Sequence, residues 1–134
     1  MKIRETMIGD VAILSVSGQI TSGPDVAPLK VQIQSLVKVG VTEVVVDLAE
    51  MEWIGSAMIG VLVSGFVTTR AVGGELRLVG GNKKIAEVLR VTKLNTVFHT
   101  GGKTEEAVKN AMSLSVTKPG PFDRHSDRVL KVAV

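Results

Sequence analysis

The stretch Asp47-Leu48-Ala49-Glu50-Met51-Glu52-Trp53-Ile54-Gly55-Ser56-Ala57-Met58-Ile59-Gly60-Val61-Leu62 decides how the chain is read. Just before it, the β-branched run Val44-Val45-Val46 is closed by a carboxylate, the pattern of a strand buried on both faces of a sheet. A parallel sheet is the expectation. From Trp53 no charged residue appears until Arg70, so a helix there is apolar nearly all round and has to lie against that sheet. Ser56, after the permissive Gly55, stands where the helix should start, and its hydroxyl is predicted to cap free N–H groups of the first turn.

Working outward, Lys2 to Met7 and Val11 to Val16 read as two strands joined at Gly9-Asp10, a hairpin signal. Thr21-Ser22-Gly23-Pro24-Asp25 is a loop and cap cluster, with Asp25 the expected N-cap of a helix that carries Leu29, Ile33, Leu36 and Val37 at helical spacing and stops at Gly40. Glu43 to Leu48 is the third strand. The apolar helix is ended by Gly73-Gly74, and Ile59, Leu62, Val63 and Phe66 are predicted to be buried on it. Leu76-Arg77-Leu78-Val79 forms a fourth strand, and Gly80-Gly81-Asn82 turns the chain into a helix with Ile85, Ala86, Val88 and Leu89. Strands alternating with helices at this spacing mean crossover units. Further on, Thr104 caps a last helix with Glu105 and Glu106 in its first turn and Ala107, Val108, Ala111 and Met112 inside.

Composition limits the functional classes. At 134 residues the chain is one domain with room for a continuous core. The absence of cysteine removes disulfides, thiolate metal sites and cysteine nucleophiles, and with no secretory signal at the N-terminus the cytoplasm is the default location. The run Trp53 to Thr69 is too short and too glycine-interrupted to span a membrane. A formal net charge of +3 with no tyrosine and three phenylalanines gives no aromatic-studded basic face, so direct nucleic-acid binding is not expected.

Catalytic signatures fail one by one. Ile54 and Met58 stand where a nucleophile elbow around Ser56 needs glycines. His99 and His125 each lack a second ligand at metal spacing, and no metal or cofactor is expected. Asp47 is either a catalytic carboxylate or a residue that bonds the turn after its strand. Gly80-Gly81-Asn82-Lys83-Lys84 has neither the Walker nor the dinucleotide spacing and reads as a plain turn with exposed lysines. Gly60 and Gly65 are expected to permit close packing of helix on sheet.

The opening stretch resembles the STAS domain of bacterial anti-sigma factor antagonists, whose signature runs Asp-Leu-Ser, a short turn, then Phe-Ile-Asp-Ser-Ser/Thr-Gly-Leu-Gly-x-Leu. Asp47-Leu48 matches the opening, Trp53-Ile54 stands for Phe-Ile, Ser56 falls on the first serine, and Ile59-Gly60-Val61-Leu62 matches the close. Gly55, Ala57 and Met58 replace the family's Asp, second Ser/Thr and Gly. Leu94 matches a usual leucine between the third helix and the last strand, and the spacing of elements agrees from Ile3 to Met112.

The resemblance implies a single α/β domain over residues 1–115, a mixed sheet of about five strands with about four α-helices. Residues 116–134 would be an extension, either disordered or a docking segment that could pair this chain with a second copy as a homodimer. It further implies a protein that is not an enzyme, with Ser56 as phosphorylation site and Asp47, Trp53, Gly55, Ser56, Ala57 and Met58 as the partner-facing surface. The implied partner is an anti-sigma factor with serine-protein kinase activity, released when Ser56 is phosphorylated, so that sigma-factor-dependent transcription is regulated. A constitutive interaction module of the same fold, never phosphorylated, is the alternative.

Overall fold

The computed structural model describes residues 1–20, 23–96, 98 and 107–109. Strands β1 (Lys2–Ile8) and β2 (Val11–Ser17) form the hairpin, with Ile8 opposite Val11 and Gly9 at φ 62° in the two-residue turn. After a 3₁₀ turn at Gly23–Val26 come α1 (Ala27–Lys38), β3 (Glu43–Glu50), α2 (Ser56–Ala71), β4 (Glu75–Val79) and α3 (Lys83–Val91). The sheet has order β1-β2-β3-β4, antiparallel between β1 and β2 and parallel thereafter. Four strands of the mixed sheet are thus in place. The expected strand after Phe98, His99, the Thr104 cap with Glu105 and Glu106, Ala111, Met112 and the whole extension 116–134 lie outside the described residues; residues 107–109 are helical.

Pleating sorts the two faces of the sheet. Ala12, Leu14 and Val16 of β2, Val44, Val46 and Leu48 of β3, and Leu76 and Leu78 of β4 share one face, covered by Leu29, Ile33 and Leu36 of α1, Met58, Val61 and Leu62 of α2, and Ile85 and Leu89 of α3. Gly65 lets α2 come down onto this layer: a Cβ there would stand 2.8 Å from Leu76 Cδ1 and 2.9 Å from Ile33 Cδ1. Phe66 reaches sideways to meet Phe98 edge-on, the ring centroids 5.4 Å apart. On the opposite face Val11, Ile13, Val45 and Val79 pack with Ala107 and Val108.

The same register puts Glu43, Glu75 and Arg77 together on that second face, all three buried. Arg77 Nη1 lies 3.4 Å from Glu75 Oε2 and 3.8 Å from Glu43 Oε1, so each buried carboxylate has the guanidinium beside it. Removing one partner would strand a buried charge.

Two local expectations are corrected. Asp25 sits inside the 3₁₀ turn, and Val26 is the residue before α1; Pro28 occupies the first turn, where its missing N–H costs little. Val63 is exposed, not buried, while Ile59 and Phe66 are half-buried. Only Leu62 of that predicted set is fully enclosed. The cause is geometric: Val63 stands about 100° round the helix from Leu62, and its apolar character alone does not turn it inward.

Candidate functional site

The C-terminal ends of the parallel strands gather the candidate residues at one end of the sheet, where β3 hands over to α2. Across from Ser15 stands Asp47, but across from Ser17 stands Glu50, so β3 carries an extra residue against β2. Asp47 stabilises the irregularity: its Oδ1 accepts a hydrogen bond of 2.9 Å from the Ala49 N–H. Half-buried and bonded to its own loop, the carboxylate acts on the turn, which is the structural alternative of the two that the sequence left open.

Beyond the bulge the chain is pinned at two points. Met51 and Ile54 are buried in the main core, and between them Glu52 and Trp53 are forced outward. Trp53 is 58% exposed, with its ring folded back over the next glycine. A Cβ at Gly55 would stand 2.6 and 2.9 Å from the six-membered ring of the indole. Gly55 and the position of Trp53 therefore belong together; a side chain at 55 would displace the ring.

Asn82, at the start of α3, closes the site from the other side. Its Oδ1 accepts from the Ile85 N–H at 2.9 Å, capping α3, and its Nδ2 donates to the Glu52 carbonyl at 2.8 Å. One amide thus ties the loop after β4 to the loop after β3. Gly80, at φ 73°, passes so close beneath that a Cβ would meet the Ala49 nitrogen at 2.8 Å and Asp47 Oδ1 at 2.9 Å.

Ser56 is the first residue of α2, and Gly55, in extended conformation, is the cap. The predicted capping by the Ser56 hydroxyl does not occur, because a side chain inside the first turn no longer faces the free N–H groups ahead of it. No side chain caps α2; Gly55 contributes its carbonyl, which accepts from the Ile59 N–H at 3.0 Å. The Ser56 side chain is exposed to solvent.

Of the six residues expected to face a partner, Trp53 and Ser56 are exposed and Asp47, Gly55 and Ala57 are half-buried. Met58 is withdrawn from the set. It stands about 200° round the helix from Ser56 and is fully enclosed in the core.

Trp53 separates two hollows. One, of about 470 Å³, is lined by Gly18, Gln19, Ile20, Glu50 and Glu52; the other, of about 450 Å³, by Lys83, Lys84, Glu87 and Val88. In the second, the hydrogen bond from Arg90 holds the Glu87 carboxyl below its ordinary pKa. Among the described residues no three metal-ligating side chains converge, and no helix is long and apolar enough to cross a membrane.

Reading the sequence missed the clasp at Asn82 and the exposed outer row of α2, Gly60, Val63 and Val67. The row had a signal: these positions follow Ser56 at helical spacing of four, seven and eleven residues.

The STAS domain family model matches residues 2–111. No curated protein sequence matches the chain. Among solved structures, an anti-sigma factor antagonist from Mycobacterium paratuberculosis is 23% identical, with a TM-score of 0.69 over 82% of this chain and 92% of its own. The anti-sigma factor antagonist SpoIIAA in its unphosphorylated form is 15% identical, with a TM-score of 0.73 over 84% of this chain and 97% of its own. The Bacillus cell fate determinant SpoIIAA in its phosphorylated form gives 15% identity and a TM-score of 0.66 over 81% and 98%. At these identities the likeness is one of fold.

Proposed function

The chain belongs to the STAS domain family, and from that premise we propose that it is an anti-sigma factor antagonist switched off by phosphorylation at Ser56. It binds an anti-sigma factor that is also a serine kinase, and so frees a sigma factor for transcription. Ser56 is a substrate here, and the chain itself catalyses nothing. Its Oγ attacks the γ-phosphorus of ATP on the kinase, the bond to ADP breaks, and the hydroxyl proton passes to a base of the kinase.

The observation that carries this reading is the setting of Ser56: exposed, at the first position of α2, and with a hydroxyl that no cap interaction requires. A phosphate there adds about −1.5 to −2 charges at neutral pH. The fold tolerates it, because an anion at a helix N-terminus is favoured by roughly 0.3–1 kcal/mol. Binding changes and folding does not.

A second reading keeps the fold and drops the switch: a constitutive interaction module. The indole lying over Gly55 favours it, since a kinase that reads an acidic side chain before the serine would meet an aromatic ring instead.

One experiment separates the two. The purified anti-sigma kinase of the same organism, with ATP, should add a single phosphate to the parent and none to Ser56→Ala by intact mass. Ser56→Asp should bind the kinase more weakly than Ser56→Ala. Equal binding of parent and both variants, without a mass change, would leave the constitutive module.

A further inference from the structure

The two edges of the sheet are finished differently. β4 is buried along its whole length, whereas six of the seven residues of β1 are exposed and no strand among the described residues pairs with its outer side. Such an edge leaves every second N–H and C=O of the strand without a ladder partner. Natural sheets cover an edge of this length or blunt it with charge, and β1 carries its charges, Lys2, Arg4 and Glu5, in one half only. The other half ends in Met7 and Ile8, apolar and 44% and 42% exposed.

Helix α1 adds an apolar wall to the same open side. Gln32 donates a hydrogen bond from Nε2 to Glu5 Oε1, which fixes the side of the helix that looks toward β1. Pro28, Val31, Ser35 and Val39 follow on that side at helical spacing, and none of the row is charged. Val31 and Val39 are 58% and 76% exposed. Glu5 and Met7 pair with Leu14 and Ala12, so they point to the face that α1 covers. Because α1 returns from the end of β2 to the start of β3, it runs with β1 and carries Val39 toward the Met7 end. The result is a trough between a strand edge and an uncharged helix flank.

We infer that Val129-Leu130-Lys131-Val132-Ala133-Val134 of the same chain docks in this trough as a further strand antiparallel to β1, with Leu130 opposite Met7 and Val132 and Val134 beneath α1. The segment lies outside the described residues. Its sequence is that of a strand with one apolar face: β-branched residues dominate, Leu130, Val132 and Val134 fall on one side at a period of two, and the one charged side chain, Lys131, falls on the other. A strand of that kind needs an edge to pair with and an apolar surface to lie under, and β1 with α1 offers both. This inference stands apart from the functional reading of Ser56.

Reach and charge decide the occupant and its direction. Ala107 and Val108 pack against Val11 and Ile13 of β2, the neighbour of β1. From Lys109 to Val129 the chain can extend up to about 70 Å, while a strand added beside β1 is only about 10 Å from β2. In the antiparallel register Val129 stands opposite Ile8, Lys131 opposite Thr6, and Arg128 beside the Gly9-Asp10 turn. A parallel strand with the same face turned to α1 and Leu130 beside Ile3 would set Lys131 against Arg4.

The test uses the full chain, which has no cysteine of its own, so any disulfide joins introduced residues. Under a mild oxidant, Met7→Cys with Leu130→Cys should close within one chain at least tenfold faster than Lys84→Cys with Leu130→Cys, since Lys84 is exposed on α3 away from the trough. It should also close faster than Met7→Cys with Lys131→Cys. A non-reducing gel separates closure within a chain from closure between chains. Residue-resolved hydrogen exchange then compares the parent with Val132→Asp. The β1 amides that point away from β2 should lose at least tenfold more protection than those bonded to β2, a difference that a general loss of stability does not produce.

Equal cross-linking at Met7 and Lys84, or outward and inward β1 amides that respond alike, overturns the docked strand. Faster closure with Lys131→Cys than with Leu130→Cys overturns the face assigned to it. A disulfide formed between two chains gives the edge to the tail of a second copy and overturns the assignment to the chain's own tail.

Discussion

Gly60 and Gly65 lie five residues apart on one helix in opposite settings. Gly65 faces inward and is filled to contact by Leu76 and Ile33; Gly60 faces outward into open space. The inner face of α2 is close-packed and sets stability, whereas the outer face carries Ser56 and contributes little to the fold. The same residue type thus packs against the core in one place and meets nothing within 4 Å in the other.

The largest effect should come from the inner face. Leu62 is fully buried beneath α2, and Leu62→Ala should lower unfolding free energy by about 2–5 kcal/mol as a cavity opens. A loss below half a kcal/mol in chemical denaturation would break the contrast at once. Next, Gly65→Val should cost about 1–3 kcal/mol by overpacking, since its added carbons must push Leu76 and Ile33 aside. Wild-type stability in the same measurement would mean that the layer yields.

The outer face should respond with smaller changes and, at one position, the opposite sign. Gly60→Ala should stabilise by up to about 1 kcal/mol, the helix-propensity gain in a place where the methyl meets nothing. Destabilisation in urea would show an inward role for Gly60 and sink the comparison. Ser56→Ala should be the smallest, within about 0.5 kcal/mol, because Ser56 lies inside the first turn and not at the cap. A loss of about 1 kcal/mol or more, the ordinary worth of an N-cap, would show that the hydroxyl caps after all.

The sequence legibly reported what depends on neighbours along the chain. Gly9-Asp10 specified the hairpin and Leu29, Ile33 and Leu36 the buried stripe of α1, whereas the bond of Asp47 to the following turn was one of two alternatives the sequence left open. It misplaced features that depend on a rotation of one residue. Expecting Ser56 as cap moved the helix start by one position, and Gly55 took that role. Val63 was assigned inward because the whole segment is apolar, so composition could not tell its two sides apart. Met58 was drawn into the partner-facing surface by its place in the motif, while helical rotation sends it into the core.

By itself the sequence determined the order of strands and helices, their approximate ends, and the serine at the head of the apolar helix. These follow from local periodicity, turn residues and the absence of charge from Trp53 until Arg70. Only the tertiary structure decided which glycine is packed and which is open, that the Trp53 ring lies over Gly55, and that Asn82 binds the Glu52 carbonyl. The tertiary structure also decided that Arg77 is buried between Glu43 and Glu75, which strand alternation alone could not say. These contacts join residues distant in the chain or positions a few ångströms apart across a packed interface, and their distances exist only once the helices have settled on the sheet.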